Sequence, residues 1–331
     1  MKSLDDLLGR IRRGEPLPFP MGGLLSAATP VWRLGMARRM RLPRVRVDAH
    51  VVSFGNLTVG GTGKTPAVIE RARIETARGK KVAVVTRGYG TKRKAVPEVA
   101  QGEKAIALGD EPGLVGLRVP EAYIIKCVDR VAGAQTAIDS WGCDTIILDD
   151  GFQYVRLERD ENVLVIDAGN PFGNRRLMPR GILREPIESA VRATHVFVTR
   201  CDQAKDLDIV IEHLHRLCPH VPVRKTVHAP TSLRRLTTGE ALPLETLRER
   251  PVCAVCAIGN PEAFFATIEG LGAVLKERKA YRDHAAIPRA ALEGNDLVVV
   301  TEKDAVRMVD PPENVATLRV ELRDFQEGGD A

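Results

Sequence analysis

The stretch SFGNLTVGGTGKTP, residues 53–66, holds the residue types best suited to chemistry. Gly60, Gly61 and Gly63 carry no side chain, so their backbone N–H groups can approach an anion closely, and a helix opening directly afterwards adds a favourable dipole. Lys64 is spaced to reach the β- and γ-phosphates of a nucleotide, and the Thr65 hydroxyl to ligate Mg2+. A general phosphate loop begins on glycine, whereas this one begins on Thr58. Thr58, Val59, Gly60, Gly61, Thr62, Gly63, Lys64 and Thr65 are therefore read as the nucleotide-binding residues, against the alternative of a glycine turn that merely opens a helix. Val59 occupies the position at which "deviant" membrane and partitioning ATPases carry a lysine that crosses a dimer, which disfavours that class.

A magnesium ion held by a loop threonine needs a carboxylate at the tip of a neighbouring strand. TIILDDGFQ supplies Asp149 and Asp150 directly after an apolar run, and Asp167, after NVLVI, is the rival. Two adjacent carboxylates are costly to bury for packing alone, so the pair is favoured, with Asp150 nearer the metal.

The elements that must position these groups follow from the alternation of apolar runs. Strands are predicted at 47–54, 81–86, 122–127, 144–149, 162–167 and 195–199, with helices after Gly63, Asp129 and Asp202. Short strands separated by helices imply right-handed crossovers and a parallel sheet covered on both faces, with ligands at the carboxyl ends of the strands. After about residue 220 the sequence reads as extended connecting chain, and then as a second set: strand 252–258, helix 261–271 and strands 273–281, 297–301 and 315–321. The expectation is an α/β fold, a P-loop NTPase-like doubly wound, mostly parallel sheet with a second, smaller α/β lobe. The expected division is an N-terminal segment 1–46, a core 47–222, and linker strands with the smaller lobe at 223–331.

Composition is that of a globular protein, 331 residues with 44% hydrophobic and 28% charged. The formal charge of +6 is confined to the first 50 residues, with ten Lys/Arg against four Asp/Glu, and the remainder balances. There, an uncharged run from Pro16 to Trp32 leads into Arg33, Arg38, Arg39, Arg41, Arg44 and Arg46. The run is shorter than the about 20 apolar residues a spanning helix needs and contains four prolines. Its basic cluster follows the apolar part, the reverse of a signal peptide. It can lie on an anionic leaflet or pack on its own domain with a solvated basic face. No aromatic-rich stacking pattern accompanies the arginines, so nucleic acid is not an expected partner. Six dispersed cysteines fit a reducing compartment, and Cys253 and Cys256 in PVCAVCAIG read as core residues rather than half of a zinc site.

The words GNLTVGGTGKTP, TRGYG, LGDEP, LDDGFQ, PFGN, LREP, DH at 283–284 and TEKDAVR, in this order, make the chain similar to the tetraacyldisaccharide 4'-kinases, the lipid A 4'-kinases of Gram-negative bacteria. The resemblance spans roughly residues 20 to 310, and in that family threonine occupies the first loop position. It implies two α/β/α lobes with the site in their cleft. It also implies transfer of the γ-phosphoryl group of ATP, with Mg2+, to the 4'-hydroxyl of a tetraacylated glucosamine disaccharide 1-phosphate. The setting it implies is monotopic, at the cytoplasmic face of the inner membrane on an anionic surface, with no obligate protein partner. Residue by residue, it makes 58–65 the ATP loop, with Lys64 among the catalytic groups, and Asp149 and Asp150 part of the metal site. Asp110 in LGDEP matches the catalytic aspartate and His284 in YRDHAAIP its histidine partner. Arg184 matches a catalytic residue, and Glu185 a residue beside the metal. The chemistry is coherent, because a sugar hydroxyl is a poor nucleophile until a carboxylate oriented by imidazole accepts its proton. Read without the family, Asp110 is a loop or cap residue and His284 a satisfied surface histidine.

Arg87 in TRGYG can contact phosphate, although a strand-end turn explains Gly88 and Gly90 equally well. Thr301 of TEKD reads as an N-cap with Asp304 in the first turn. The chain departs from the family pattern at Tyr154, where histidine is usual, and at Arg175, Arg180 and Ile182; an aromatic residue is also usual after DH. The competing functions are a soluble P-loop kinase or GTP-dependent metallochaperone, and an ATP-driven membrane switch. The first lacks a guanine-selective N-K-x-D or a metal-binding cluster, and Val59 speaks against the second.

Overall fold

In β2 (Val82–Thr86) every residue is apolar or small and all are buried, which only a strand covered on both faces can satisfy. Val82 and Val84 pack on one face with Ala67, Val68 and Ala72 of helix α2 (Lys64–Ala77). Ala83 and Val85 pack on the other with Ala134 and Ala137 of α4 (Arg130–Trp141). The same alternation recurs in β10 (Pro251–Cys256), where Val252, Ala254 and Cys256 face one cluster and Cys253 and Val255 the other. Cys253 and Cys256 thus point to opposite faces as core residues. The structure, a computed structural model, describes residues 7, 9–11, 14–88, 96–294 and 296–326; Gly90 of TRGYG lies outside them.

The remaining strands are β1 (His50–Gly55), β3 (Glu98–Ala100), β4 (Tyr123–Lys126), β5 (Thr145–Leu148), β6 (Glu161–Asp167), β7 (His195–Thr199), β8 (Val223–Arg235), β9 (Ala241–Leu242), β11 (Val274–Ala280), β12 (Val298–Thr301) and β13 (Val315–Asp324). They form one sheet ordered β11-β10-β12-β13-β8-β7-β6-β1-β5-β2-β4-β3, with β9 against β8. All pairings are parallel except β8–β13, β3–β4 and β8–β9. Strand β1 lies between β5 and β6, so the chain winds to one side through β2 and to the other through β6 and β7. That reversal puts the carboxyl end of β1 at a topological switch point.

The stretch expected as connecting chain is strand β8. It pairs in parallel with β7 through Val223–Lys225 and antiparallel with β13 through Thr226–Arg235, so the two α/β sets share one sheet across it. Its mixed sequence, VRKTVHAPTSLRR, hides this, since only Thr226 and Leu233 are buried. Helix α5 (Leu207–Leu217) starts after Asp206, a short turn at Cys201–Gln203 occupying the place where the helix was expected. Helices α3 (Asp110–Arg118), α6 (Pro261–Gly270) and α7 (Glu302–Ala305) complete the lobes.

Before β1 runs α1 (Met21–Met40), twenty residues with only Met36 buried. Phe19 is 98% exposed and Val31 74%, and Leu24 and Leu34 are also exposed. Arg33, Arg38, Arg39, Arg41 and Arg44 are exposed beside them. Trp32 fastens the helix to the core by donating from Nε1 to the Arg184 carbonyl at 2.8 Å. Among the described residues no helix is long and apolar enough to cross a membrane.

Candidate active site

The loop leaving β1 is stitched on one side to residues 182–184. Thr58 forms an antiparallel bridge with Leu183, Val59 N–H donates to the Ile182 carbonyl at 2.8 Å, and Arg184 N–H to the Leu57 carbonyl at 2.7 Å. Thr58 is therefore in a strand-like pairing and 4% exposed, a setting that a β-branched residue suits and glycine does not. On the other side, Thr199 Oγ1 donates to the Thr62 carbonyl at 2.9 Å and Arg200 Nη1 to the Gly61 carbonyl at 3.1 Å. These bonds satisfy loop acceptors, while the Thr62 hydroxyl, though buried, has no partner. Gly63 has φ 80°, and a Cβ there would collide with the His228 ring. Burial pushes the His228 imidazole down to about 3, with Arg200 adding to the effect, so it lies against the loop as a neutral ring.

Lys64 opens α2. Its Nζ donates to Asn56 Oδ1 at 3.0 Å and lies 3.6 Å from Asp150 Oδ1. Asn56, fully buried, donates in turn to the Thr58 carbonyl at 2.7 Å. Asp150 is further held by Arg184 Nη1 at 2.7 and 2.8 Å. Burial works against its ionisation, yet Lys64 and Arg184 keep the carboxyl well below the usual range. Asp149, next to it and 3% exposed, behaves oppositely: burial, then Glu111 and Asp150, push it up to about 7 against Lys64 and Arg130. One carboxylate is thus held ionised by cations, whereas burial above all, and then two neighbouring carboxylates, disfavour the charge on the other.

Asp110 is the first residue of α3, after Gly109 with φ 133°. Its Oδ2 lies 2.7 Å from His284 Nδ1 and 3.7 Å from Arg307 Nε. Burial alone would raise this carboxyl, but His284, Lys303 and Arg307 bring it down to about 2. His284 comes from the smaller lobe, where its N–H donates to the Ala257 carbonyl. Asp150 (φ 54°), Arg200 (φ 55°) and His284 (φ 64°) all hold the left-handed conformation, which costs roughly 1–2 kcal/mol per non-glycine residue. Three further non-glycine residues with positive φ, Arg175, Glu249 and Asp310, lie away from the site, so strain is a feature of these positions and not a marker confined to them.

A cleft of about 210 Å3 lies between the loop and the smaller lobe. Gly60–Pro66 and Asp149 form one wall, with Glu111 and Arg118 from α3, and Ile258, Gly259, Asn260, Asp283 and Lys303 the other. The lobes meet there: Asn260 Nδ2 donates to Asp167 Oδ2 at 3.0 Å, and Arg200 Nη1 donates to the same oxygen at 2.6 Å. Asp167, the sequence rival for the metal, is thus occupied by a guanidinium and an amide, and Asp149 has the exposure to the cleft. Thr65 lines the cleft as well. Glu185 does not: it is 2% exposed, accepts from Arg192 Nη2 at 2.7 Å, and lines a separate cavity of about 270 Å3 beside α1.

Among the described residues no group of three His, Cys, Asp or Glu is arranged to hold a metal by itself. Magnesium at a nucleotide needs less than that, because one or two carboxylates suffice when phosphates and water complete the shell. Asp149, Thr65 and the glycine cradle, which all line the cleft, fit nucleotide phosphates with such an ion.

Several residues missed in the sequence belong here. Arg130 is 5% exposed at the first turn of α4, facing Asp149 and Asp150. Asn260 joins the lobes through Asp167, and Arg200 braces that carboxylate from within the core. Lys303 donates to Glu111 Oε1 at 3.0 Å and Asp283 Oδ1 at 3.3 Å. The N-cap read in TEKD is present, Thr301 Oγ1 accepting from Asp304 N–H at 3.1 Å, but the same turn also aims Lys303 into the site. Tyr154 donates to Asp129 Oδ1 at 2.6 Å, which holds the cap of α4. Ile182 is buried under the loop, Arg175 is exposed, and Arg180 reaches towards Gly22 at the start of α1.

Comparison with known proteins agrees with this geometry. The profile of the tetraacyldisaccharide-1-P 4'-kinase family matches residues 17–328. The tetraacyldisaccharide 4'-kinase of Anaeromyxobacter dehalogenans (strain 2CP-C) is 39% identical over 88% of this chain and 83% of its own length. That of Syntrophus aciditrophicus is 37% identical over 94% and 91%. The crystal structure of LpxK from Aquifex aeolicus in complex with ATP superposes with a TM-score of 0.68 at 25% identity, covering 98% of this chain and 95% of that one. With its P-loop, its mostly parallel sheet, a family profile matched over residues 17–328 and relatives matched over most of their length, the chain belongs to the tetraacyldisaccharide-1-P 4'-kinase family.

Proposed function

We propose that the protein transfers the γ-phosphoryl group of ATP to the 4'-hydroxyl of a tetraacylated glucosamine disaccharide 1-phosphate, and that residues 58–65, Asp149, Asp150, Arg184, Asp110 and His284 carry the reaction. The observation that carries this reading is the meeting of two lobes beside one cleft: a glycine cradle ending in Lys64 lines it together with Glu111 and Asp283, and the residues next to those two, Asp110 and His284, are bonded across the lobes at 2.7 Å. The loop N–H groups and Lys64 bind the phosphates, and the α2 N-terminus favours their charge. Asp149 and Thr65 are the residues that would hold magnesium, which when bound neutralises charge on the β- and γ-oxygens. Glu185 acts at a distance, its pair with Arg192 bracing the segment that carries Arg184.

His284 Nδ1 and Arg307 Nε both lie against Asp110 Oδ2. Oδ1 is the oxygen that takes the proton of the attacking hydroxyl. With its pKa at about 2, Asp110 is ionised throughout the neutral range, and its orientation supplies the effect that its low basicity does not.

The acceptor carries four acyl chains and stays in a bilayer, so the enzyme must reach it. Exposed Phe19, Leu24, Val31 and Leu34 alongside Arg33, Arg38, Arg39 and Arg41 suit α1 to the interface of an anionic leaflet, at the cytoplasmic face where ATP is available. The division that goes with this function is interface segment 1–46, kinase core 47–222 and smaller lobe 223–331, acting without an obligate protein partner.

The test is incubation with MgATP labelled at the γ-position and the disaccharide 1-phosphate lipid in mixed micelles. Label on the lipid supports the reading, and label released only as inorganic phosphate overturns it.

A further inference from the structure

Lys303, the second residue of α7, spans the cleft at its base. Its Nζ contacts Glu111 Oε1 at 3.0 Å on the core side, and Asp283 Oδ1 at 3.3 Å and His284 Nε2 at 3.4 Å on the small-lobe side. Its side chain is 16% exposed. An ammonium has three protons and no lone pair, so each of these contacts is a donation. A ring nitrogen that accepts a proton bond is the bare one. The other nitrogen, Nδ1, faces the Asp110 carboxylate at 2.7 Å and therefore carries the hydrogen.

We propose that Lys303 is a positioning residue that fixes His284 as the Nδ1–H tautomer and, by bridging Glu111 to the Asp283–His284 turn, holds the Asp110–His284 pair together across the two lobes. The groups facing the ring are consistent with this. Asp283 Oδ1, 3.7 Å from Nε2, would favour a proton there, but Lys303 already engages that oxygen at the shorter 3.3 Å. Arg307 sits on Asp110 Oδ2 and is itself anchored on Asp304 at 2.7 Å, so it engages the carboxylates and not the ring. Although burial disfavours the Lys303 ammonium, Glu111 and Asp283 raise its pKa, so it remains a donor at neutral pH. With Nε2 engaged and Nδ1–H directed at Oδ2, Asp110 presents a single free oxygen, Oδ1, to the hydroxyl. Loss of the lysine frees the ring to change tautomer or turn, as happens when a carboxylate orienting a catalytic histidine is removed.

The inference rests on the reading of Asp110 as the base, so its test includes a readout independent of turnover. In the full chain labelled with 15N-histidine, the resonances absent from a His284→Gln variant identify His284. The expected wild-type signature is a protonated Nδ1 with an unprotonated Nε2. Lys303→Met should shift the Nε2 signal towards a mixed tautomer and lower kcat about tenfold to a hundredfold, part of the 10²–10⁴ that a positioned base contributes. KM for ATP should stay within about twofold, since the phosphate loop is untouched, and Lys303→Arg should retain the wild-type signature. A wild-type spectrum with the proton on Nε2 overturns the proposal whether or not the variants fold. An unchanged His284 spectrum in Lys303→Met overturns it as well. If the spectrum responds to Lys303 while Asp110→Asn still transfers phosphate, the tautomer assignment stands and the base assignment fails.

Discussion

Gly259 is the point at which the smaller lobe touches the phosphate loop. A Cβ built on it would lie 2.5 Å from the Gly61 nitrogen, 3.2 Å from the Gly61 Cα and 3.3 Å from Asp283 Oδ2, where ordinary contact begins at 3.4 Å. Its φ is not in the left-handed region, so alanine is excluded by space and not by backbone conformation. The atoms in the way are backbone on the loop side, and rotamer changes cannot relieve them. Gly259→Ala must therefore part the lobes by about 0.9 Å, the difference between 2.5 and 3.4 Å, or shift the loop by as much. A misplacement of about 1 Å between reacting groups costs on the order of 10²-fold. Phosphoryl transfer to the lipid, followed at varied ATP, should show kcat/KM lower by about that factor, with the fold retained by thermal melting. Gly270→Ala is the control: at the end of α6 its Cβ meets nothing within 4 Å, and activity should be unchanged. Full activity in Gly259→Ala would refute the claim that the lobes must close to contact for transfer.

Removing Arg192 leaves the Glu185 carboxylate, 2% exposed, without its ion-pair partner. Breaking a buried pair costs about 3–5 kcal/mol, so Arg192→Ala should lower the unfolding free energy by roughly 3 kcal/mol in denaturant titrations, and an unchanged midpoint would contradict the pairing. Replacing Arg38, Arg39 and Arg41 with glutamine should weaken sedimentation with anionic vesicles by more than about 100-fold, at about 1 kcal/mol for each basic residue. Zwitterionic vesicles should show little difference. The lowered Asp110 carboxyl stabilises the folded chain fully above its unfolded value of 3.8 and loses that contribution as pH falls towards about 2. The stability difference between wild type and Asp110→Asn, about 2 kcal/mol at neutral pH, should shrink across that window; a difference that does not change with pH down to about 2 would show that ionisation of Asp110 is not its source.

What the sequence made legible is local. The phosphate loop, the strands either side of β1 and the adjacent carboxylates are consecutive words, and their chemistry follows from residue type and spacing. Partner choice is not local. Arg200, at the end of β7, and Asn260, before α6, both find Asp167, and nothing in their neighbourhoods says so. Lys303 belongs to a turn whose cap is readable, but its target lies 192 positions earlier in the chain. Arg130 resembles any first-turn arginine until its burial is seen, within electrostatic reach of Asp149 and Asp150. The threonine at the first loop position, anomalous by motif, is explained only by its bridge to Leu183. That the linker strand would fuse both lobes into one sheet was not legible, because the two halves of β8 pair with different neighbours in opposite senses and leave no clean alternation. Asp110 and His284 were named through family resemblance, and only the fold shows why two residues so far apart are read together.

The claim on which the rest depends is that Asp110 activates the lipid hydroxyl at the cleft. The most direct measurement is mass spectrometry of the lipid after reaction with MgATP, with fragmentation to locate the new phosphoryl group, for wild type and Asp110→Asn side by side. The account predicts one added phosphoryl group at the 4' position, and its rate of appearance lowered by at least about 10² in the variant. A product carrying phosphate elsewhere, or an Asp110→Asn enzyme as fast as wild type, would contradict it.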